Sequence, residues 1–171
     1  MVLMMRSLRL VWNNQADLPA PIRAEMPFVA LTPAARLTLW GMRYWATCAR
    51  HGRCPALMLR DVYRSAGVPD AAASIDGLMR IFATASRRAP ALGCPACTRL
   101  TDDEAQILNG VRALQRDEGL GAEMILTAWL PVQAAERAAP AMEGLARLLR
   151  QGGFDLACDR APVLTPLQRL H

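Results

Sequence analysis

Cysteine carries the most concentrated chemistry in this sequence. Cys94-Pro-Ala-Cys97 sets two thiols three residues apart in a loop that reads APALGCPACTRL. Cys48 and Cys54 make a looser pair across the end of an expected helix, with His51 between them. Structural zinc takes four such ligands in a tetrahedron, as thiolates. Cys48, Cys54, Cys94 and Cys97 are therefore a candidate zinc site. Cys-x-x-Cys has the proper spacing for half of it, and Cys-x5-Cys is an unusual second half. Cys48 also falls on an apolar helical stripe beside Tyr44, where a cysteine behaves as a core residue. The Cys94–Cys97 pair has a redox reading as well, as a dithiol that passes to a disulfide and back. Thiol–disulfide enzymes place such a pair at a helix N-terminus inside a βαβ pattern. Here the pair precedes the expected helix start by several residues, and no strand pattern surrounds it.

Other chemistry is thin. All 20 basic residues are Arg. The lack of Lys removes the standard Walker loop, protein kinases, Schiff-base enzymes and Ser-x-x-Lys acyl enzymes. His51 and His171 are the two histidines, so His-Glu-x-x-His zinc sites are missing too. Asp102, Asp103 and Glu104 cluster, and helix capping accounts for them. The net charge of +5 comes from an Arg-rich, Lys-free composition. It is a weak pointer to nucleic acid.

The elements that must hold these residues read as helices. Aromatics are 5% of the chain and β-branched residues are scarce, whereas Ala, Leu and Arg dominate, which favours helix over sheet. Thr32 and Pro33 suit an N-cap and first helical position. The helix after them carries an apolar stripe of Leu37, Trp40, Tyr44 and Cys48 and a wet face of Arg36, Arg43 and Arg50. Gly52 stops it. A second helix spans about residues 55–66, with Leu59, Val62, Tyr63 and Ala66 inward. A third opens at Pro69 and Asp70 and buries Ile75, Leu78, Met79 and Phe82. Thr101 and Glu104 form a capping box, with Leu100 stapled over the first turn. The fourth helix that follows buries Ile107, Leu108, Val111 and Leu114. A short helix over 122–130 turns Ile125, Ala128 and Trp129 inward. Pro131 and Pro140 bracket a short piece, and a last helix runs over 141–150.

Residues 58–82 resemble the helix-turn-helix of bacterial repressors through Asp61-Val62 and Ala66-Gly67-Val68. Tyr63 stands where that motif wants a small residue. The would-be recognition helix opens on Asp70, Ala71, Ala72 and Ala73, without Arg, Asn or Gln to reach a base. An ordinary helical hairpin with a Gly turn is the favoured reading.

The stretches ARLTLWGMR, LMLRDVY, IDGLMRIFATASRR, CPACTRLTDDEAQIL and AMEGLARLLRQGG resemble a family of short, uncharacterised alphaproteobacterial proteins. They lie within about residues 32–153, and the Cys cluster before Arg-Leu-Thr-Asp-Asp-Glu-Ala is their most specific part. The resemblance implies a shared fold unit and no particular chemistry.

Together these observations predict an all-α protein. It is a single compact bundle of five or six short helices over 31–153. An irregular N-terminal arm (1–30) and an extended C-terminal tail (154–171) flank it. The expected role is a non-enzymatic module that binds another protein or its own copy, stabilised by zinc if the four thiolates assemble. A helix-turn-helix DNA regulator and a Cys-x-x-Cys redox protein are the alternatives. No run approaches the length of a membrane span, and the N-terminus makes a poor signal peptide, so the expected compartment is the cytoplasm.

Overall fold

Thr32 starts the first helix as its spacing predicts. Its Oγ1 accepts the backbone N–H of Ala35 at 3.2 Å, and Pro33 occupies the first helical position. The computed structural model describes residues 20–118 and 120–157. Among them are six α-helices and no strand: α1 Pro33–Arg50, α2 Ala56–Ser65, α3 Ala71–Ala85, α4 Asp102–Gln115, α5 Ala122–Leu126 and α6 Val132–Gln151. The expected all-α bundle is what forms. The parts of the expected arm before residue 20 and of the tail after 157 lie outside the described residues. None of the described helices is long and apolar enough to cross a membrane.

Four of the helices end alike. After α1, Gly52 (φ +63°) donates to the Ala49 carbonyl at 3.1 Å, and Arg53 donates to that of Cys48 at 2.8 Å. After α2, Gly67 (φ +80°) donates to the Arg64 carbonyl at 2.9 Å, and Val68 donates to that of Tyr63 at 2.9 Å. After α6, Gly153 (φ +80°) and Phe154 repeat this pattern on Arg150 and Leu149. A left-handed residue just past the helix reverses the chain and satisfies two orphan carbonyls. Asp117 (φ +53°) does the same work after α4, without glycine's freedom.

The α6 helix packs most extensively on α3, and also on α5 and α4, while α1 lies on α3 and α4. The prolines predict a break that the structure does not contain: α6 runs unbroken through Pro140. A proline inside a helix loses one hydrogen bond and crowds the carbonyl four residues earlier, costing about 3 kcal/mol. Two features offset that cost. Pro140 and Glu136 are exposed, so the freed Glu136 carbonyl can take water. The inward stripe of Ala135, Ala138, Ala139, Met142, Leu145 and Leu149 continues across the proline, so both halves are buried by one surface.

Two other helices differ in detail. The helix expected over 122–130 stops at Leu126, and a turn carries the chain to Pro131. Trp129 is buried edge-on to Phe82, whereas Ile125 is half-buried and Ala128 exposed. On α1 the buried face is Ala35, Thr38, Leu39, Met42 and Trp45. Leu37, Trp40 and Tyr44 are only half-buried, and the Trp40 and Tyr44 rings stack at 5.2 Å on the flank.

The described ends join the body. Ile22 is buried, and its N–H and C=O pair with the Asn109 side chain at 3.1 and 2.7 Å. Phe154 and Leu156 are buried as well, and the Gln115 side chain bonds both of their backbones.

Gly41 on α1 makes room for the Tyr63 side chain of α2. A Cβ built there would overlap the hydroxyl of fully buried Tyr63, which donates to the Leu37 carbonyl at 3.1 Å. Gly41→Ala would stabilise an isolated helix by about 1 kcal/mol. In this protein it should destabilise by about 1–3 kcal/mol through overpacking, seen as a lower urea midpoint. An equal or higher midpoint would mean that Tyr63 gives way freely.

Candidate functional site

The capping box predicted at Thr101 is formed, and it does more than cap. Thr101 Oγ1 accepts the Glu104 N–H at 3.1 Å, and Glu104 Oε2 accepts the Thr101 N–H at 2.9 Å. The same carboxylate accepts Arg43 Nε at 2.8 Å, Arg43 Nη2 at 2.7 Å and the Gly93 N–H at 2.8 Å. The side chains of Arg43 and Glu104 are both 0% exposed. This corrects two expectations. Arg43 is not on a wet face with Arg36 and Arg50, and capping does not exhaust the role of the acidic cluster. The physical reason is the loop over residues 86–101, which covers that side of α1 and brings the first turn of α4 to it.

Arg43 is nearly saturated. Its Nη1 donates to the Cys97 carbonyl at 2.6 Å, and Nη2 also donates to the Arg99 carbonyl at 2.8 Å. Its Cζ lies 5.5 Å from the centre of the Phe28 ring, within cation–π range. Burial acts to lower the guanidinium's pKa, but the Glu104 hydrogen bond and charge raise it, and Cys97 and Cys94 add to the rise. The net direction is upward, so the group stays charged.

Asp103 anchors the other end of the loop. It takes a bidentate pair from Arg88 at 2.6 and 2.9 Å and the Ala91 N–H at 2.7 Å. Thr101 Oγ1 donates back to the Ala91 carbonyl at 2.6 Å. A short pairing with the segment before α1 completes the frame, through Phe28 N–H to Thr98 C=O at 2.8 Å and Leu100 N–H to Met26 C=O at 3.1 Å. The cysteine loop is thus tied down at Ala91, Gly93, Cys97, Thr98, Arg99 and Leu100.

On that frame Cys94 to Cys97 make a tight turn. The Cys97 N–H donates to the Cys94 carbonyl at 3.0 Å, and the Cys94 N–H donates to Cys97 Sγ at 3.0 Å. The two sulfurs stand 2.6 Å apart. Cys94 is exposed and Cys97 half-buried. The contact with the Cys97 thiol, in which either sulfur could donate, holds the Cys94 thiol below its ordinary value. Desolvation opposes this, and the backbone amides of Ala96, Cys97 and Cys94 reinforce it. The turn therefore presents one accessible thiol with a second, half-buried thiol beside it.

The other two candidate ligands are elsewhere. Cys48 is buried on α1 and Cys54 is exposed beyond its end. Among the described residues, no three His, Cys, Asp or Glu side chains gather into a group that could hold a metal ion. Helix geometry gives the reason. Cys48 follows Arg43 by five residues, which turns it about 140° around α1 and about 7.5 Å along it. The cysteine loop sits on the Arg43 side.

The 58–82 hairpin exists as α2 and α3. The first turn of α3 is buried at Ala71 and Ala72, and the helix is packed by α1, α2 and α6. Asp76 on α3 accepts Trp45 Nε1 at 2.7 Å and Arg80 Nε at 2.8 Å.

Sequence reasoning found the thiols and the cap but missed Arg43, Arg88 and the pairing roles of Asp103 and Glu104. Nothing local signals a contact across 61 residues. The one hint was a capping box placed directly after the cysteine loop.

Removing one partner of a buried ion pair strands the other. Glu104→Ala should cost about 3–5 kcal/mol in urea unfolding, whereas a loss below about 1 kcal/mol would match a solvent-exposed pair. Arg88 holds the Asp103 carboxyl below the usual carboxylate range, with the Ala91 N–H assisting. A depressed folded value means stability that is complete above the unfolded value of about 4 and is lost as pH falls through the folded one. Asp103→Asn should therefore flatten the acid limb in thermal melts taken downward from neutral pH. An acid limb as steep as in the unaltered protein would deny Asp103 this role.

No protein-family model, curated protein or solved structure matches this chain.

Proposed function

We propose that this protein is a dithiol–disulfide exchange protein, with Cys94 as the attacking thiolate and Cys97 as the resolving thiol, acting on a protein disulfide. The observation that carries the reading is that the Cys94 and Cys97 side chains meet in one exposed turn. The buried Arg43–Glu104 pair beneath it supplies a rigid base.

The chemistry balances in two steps. The Cys94 thiolate attacks one sulfur of the partner disulfide, forming a mixed disulfide and releasing one partner thiolate, which takes up a proton. Cys97 then loses its proton and attacks the Cys94 sulfur. A Cys94–Cys97 disulfide forms and the second partner thiolate leaves. Two electrons pass to the partner, and the reverse sequence oxidises a partner dithiol. Cys94 suits the first step because it is accessible, and its hydrogen-bonded environment favours the thiolate.

A protein partner also fits the surface. Leu120, Met124 and Val132 are 48%, 60% and 59% exposed around α5 and the start of α6. Leu120 lines a shallow groove together with Gln106, Asn109, Gly110, Ala113, Ile125 and Trp129. This apolar area favours the second reading, a helical module that binds another protein or a second copy of itself. Light scattering that finds a monomer at high concentration would remove self-association from that reading.

The exchange reading is tested in glutathione redox buffers, with insulin as the protein disulfide. The intact protein should form a Cys94–Cys97 disulfide and accelerate insulin reduction. Cys97→Ser should accumulate a mixed disulfide with glutathione, and Cys94→Ser should do neither. Cys54, an exposed thiol outside the Cys94–Cys97 turn, is the internal reference. Alkylation and exchange at Cys94 no faster than at Cys54 would overturn the reading.

A further inference from the structure

We propose that the Arg43–Glu104 pair sets the dithiol–disulfide equilibrium of Cys94 and Cys97, with Arg43 as a positioning residue that favours the dithiol and Glu104 as its counterweight. This rests on the exchange reading above and goes beyond it by assigning control of the equilibrium to two side chains that never meet the substrate.

The geometry places the guanidinium directly behind the turn. A Cβ built on Gly93 would come within 3.2 Å of the Cys97 Cβ and within 3.4 Å of both Cζ and Nε of Arg43. Gly93 thus packs against both Cys97 and the guanidinium, with no room for a side chain between them. Arg43 Nη1 grips the Cys97 carbonyl at 2.6 Å, and Glu104 grips the Gly93 N–H at 2.8 Å. The backbone on both sides of Cys94 is therefore held by the two members of one ion pair. Both side chains are fully excluded from water, so solvent does little to screen their charges.

The two redox states differ in charge, and the pair can tell them apart. The dithiol state carries a negative charge whenever Cys94 is ionised, and the disulfide carries none. A fixed positive charge nearby stabilises the first state alone, and a fixed negative charge destabilises it. Stabilising the reduced form makes the disulfide a stronger oxidant. In a thiol protein whose pair opens a helix, the helix N-terminus does this work. Here the pair stands ahead of α4, and a buried arginine takes that place. Arg88 faces solvent and is committed to Asp103, so it does not substitute.

The experiment compares the intact protein with Arg43→Gln and Glu104→Gln by equilibration against glutathione, with Cys94 ionisation followed by thiolate absorbance. Each variant is measured below its own melting temperature. Arg43→Gln should move the equilibrium about tenfold toward the disulfide, a shift of about 30 mV for this two-electron couple, and raise the Cys94 pKa. Glu104→Gln should move both readouts the opposite way. Opposite signs are the signature, because a merely structural role would loosen the turn in both variants and shift both alike. Shifts of the same sign, or neither above about twofold, would overturn the inference. If Arg43→Gln fails to fold, Arg43→Lys decides instead. It keeps the charge, so the equilibrium should stay within about twofold, and a larger shift would overturn the inference. Should the unaltered protein form no Cys94–Cys97 disulfide, the exchange reading itself fails, which is a different result from variants that equilibrate normally.

Discussion

A guanidinium and a carboxylate removed entirely from water must satisfy each other and nearly every remaining donor and acceptor, or the fold cannot carry them. Arg43 and Glu104 meet that condition by recruiting the chain around them. The Gly93 amide, the Cys97 and Arg99 carbonyls and the Thr101 amide are all held by these two side chains. The loop after α3, the start of α4 and the middle of α1 are consequently one unit. Its position follows from the need to leave no charge unpaired, more than from apolar contact, since most of the loop is exposed or half-buried.

Away from this pair apolar packing dominates, most extensively between α3 and α6. Their apolar stripes face each other along most of their lengths, and α6 keeps its stripe through Pro140 because the proline is turned outward. The Arg88–Asp103 pair ties the far end of the loop, its carboxylate buried and its guanidinium exposed, and with the Ala91 amide it aims the chain toward Gly93 and the cysteines.

Thiol chemistry on an all-helical scaffold needs two things a Cys-x-x-Cys motif does not itself contain: a rigid turn and a local positive potential. On the proposed exchange reading both come from Arg43, which fixes the Cys97 carbonyl and is the buried positive charge next to the turn.

Much of the secondary structure was legible in the residues. Thr32-Pro33, the capping box from Thr101 to Glu104, the Gly stops at 52, 67 and 153 and the apolar spacing of α3 are local signals, and local backbone physics decides them. The cysteines were legible as chemistry for the same reason, being a type and a spacing. What the residues alone did not decide were matters of which surface covers which. The heptad-spaced Arg stripe on α1 reads as solvated until a loop from 50 residues away covers one of its members. Pro140 reads as a break until its outward placement and the continuous stripe across it are known. The four thiols read as one ligand set until the turn of α1 separates Cys48 from the loop. Sequence by itself determined the first four helices, the caps at Thr32 and Thr101 and the reactive residue types, because those depend on neighbours within about one helical turn. Tertiary structure alone decided which charge is buried and which thiols meet, because both depend on packing between segments that are distant in the chain.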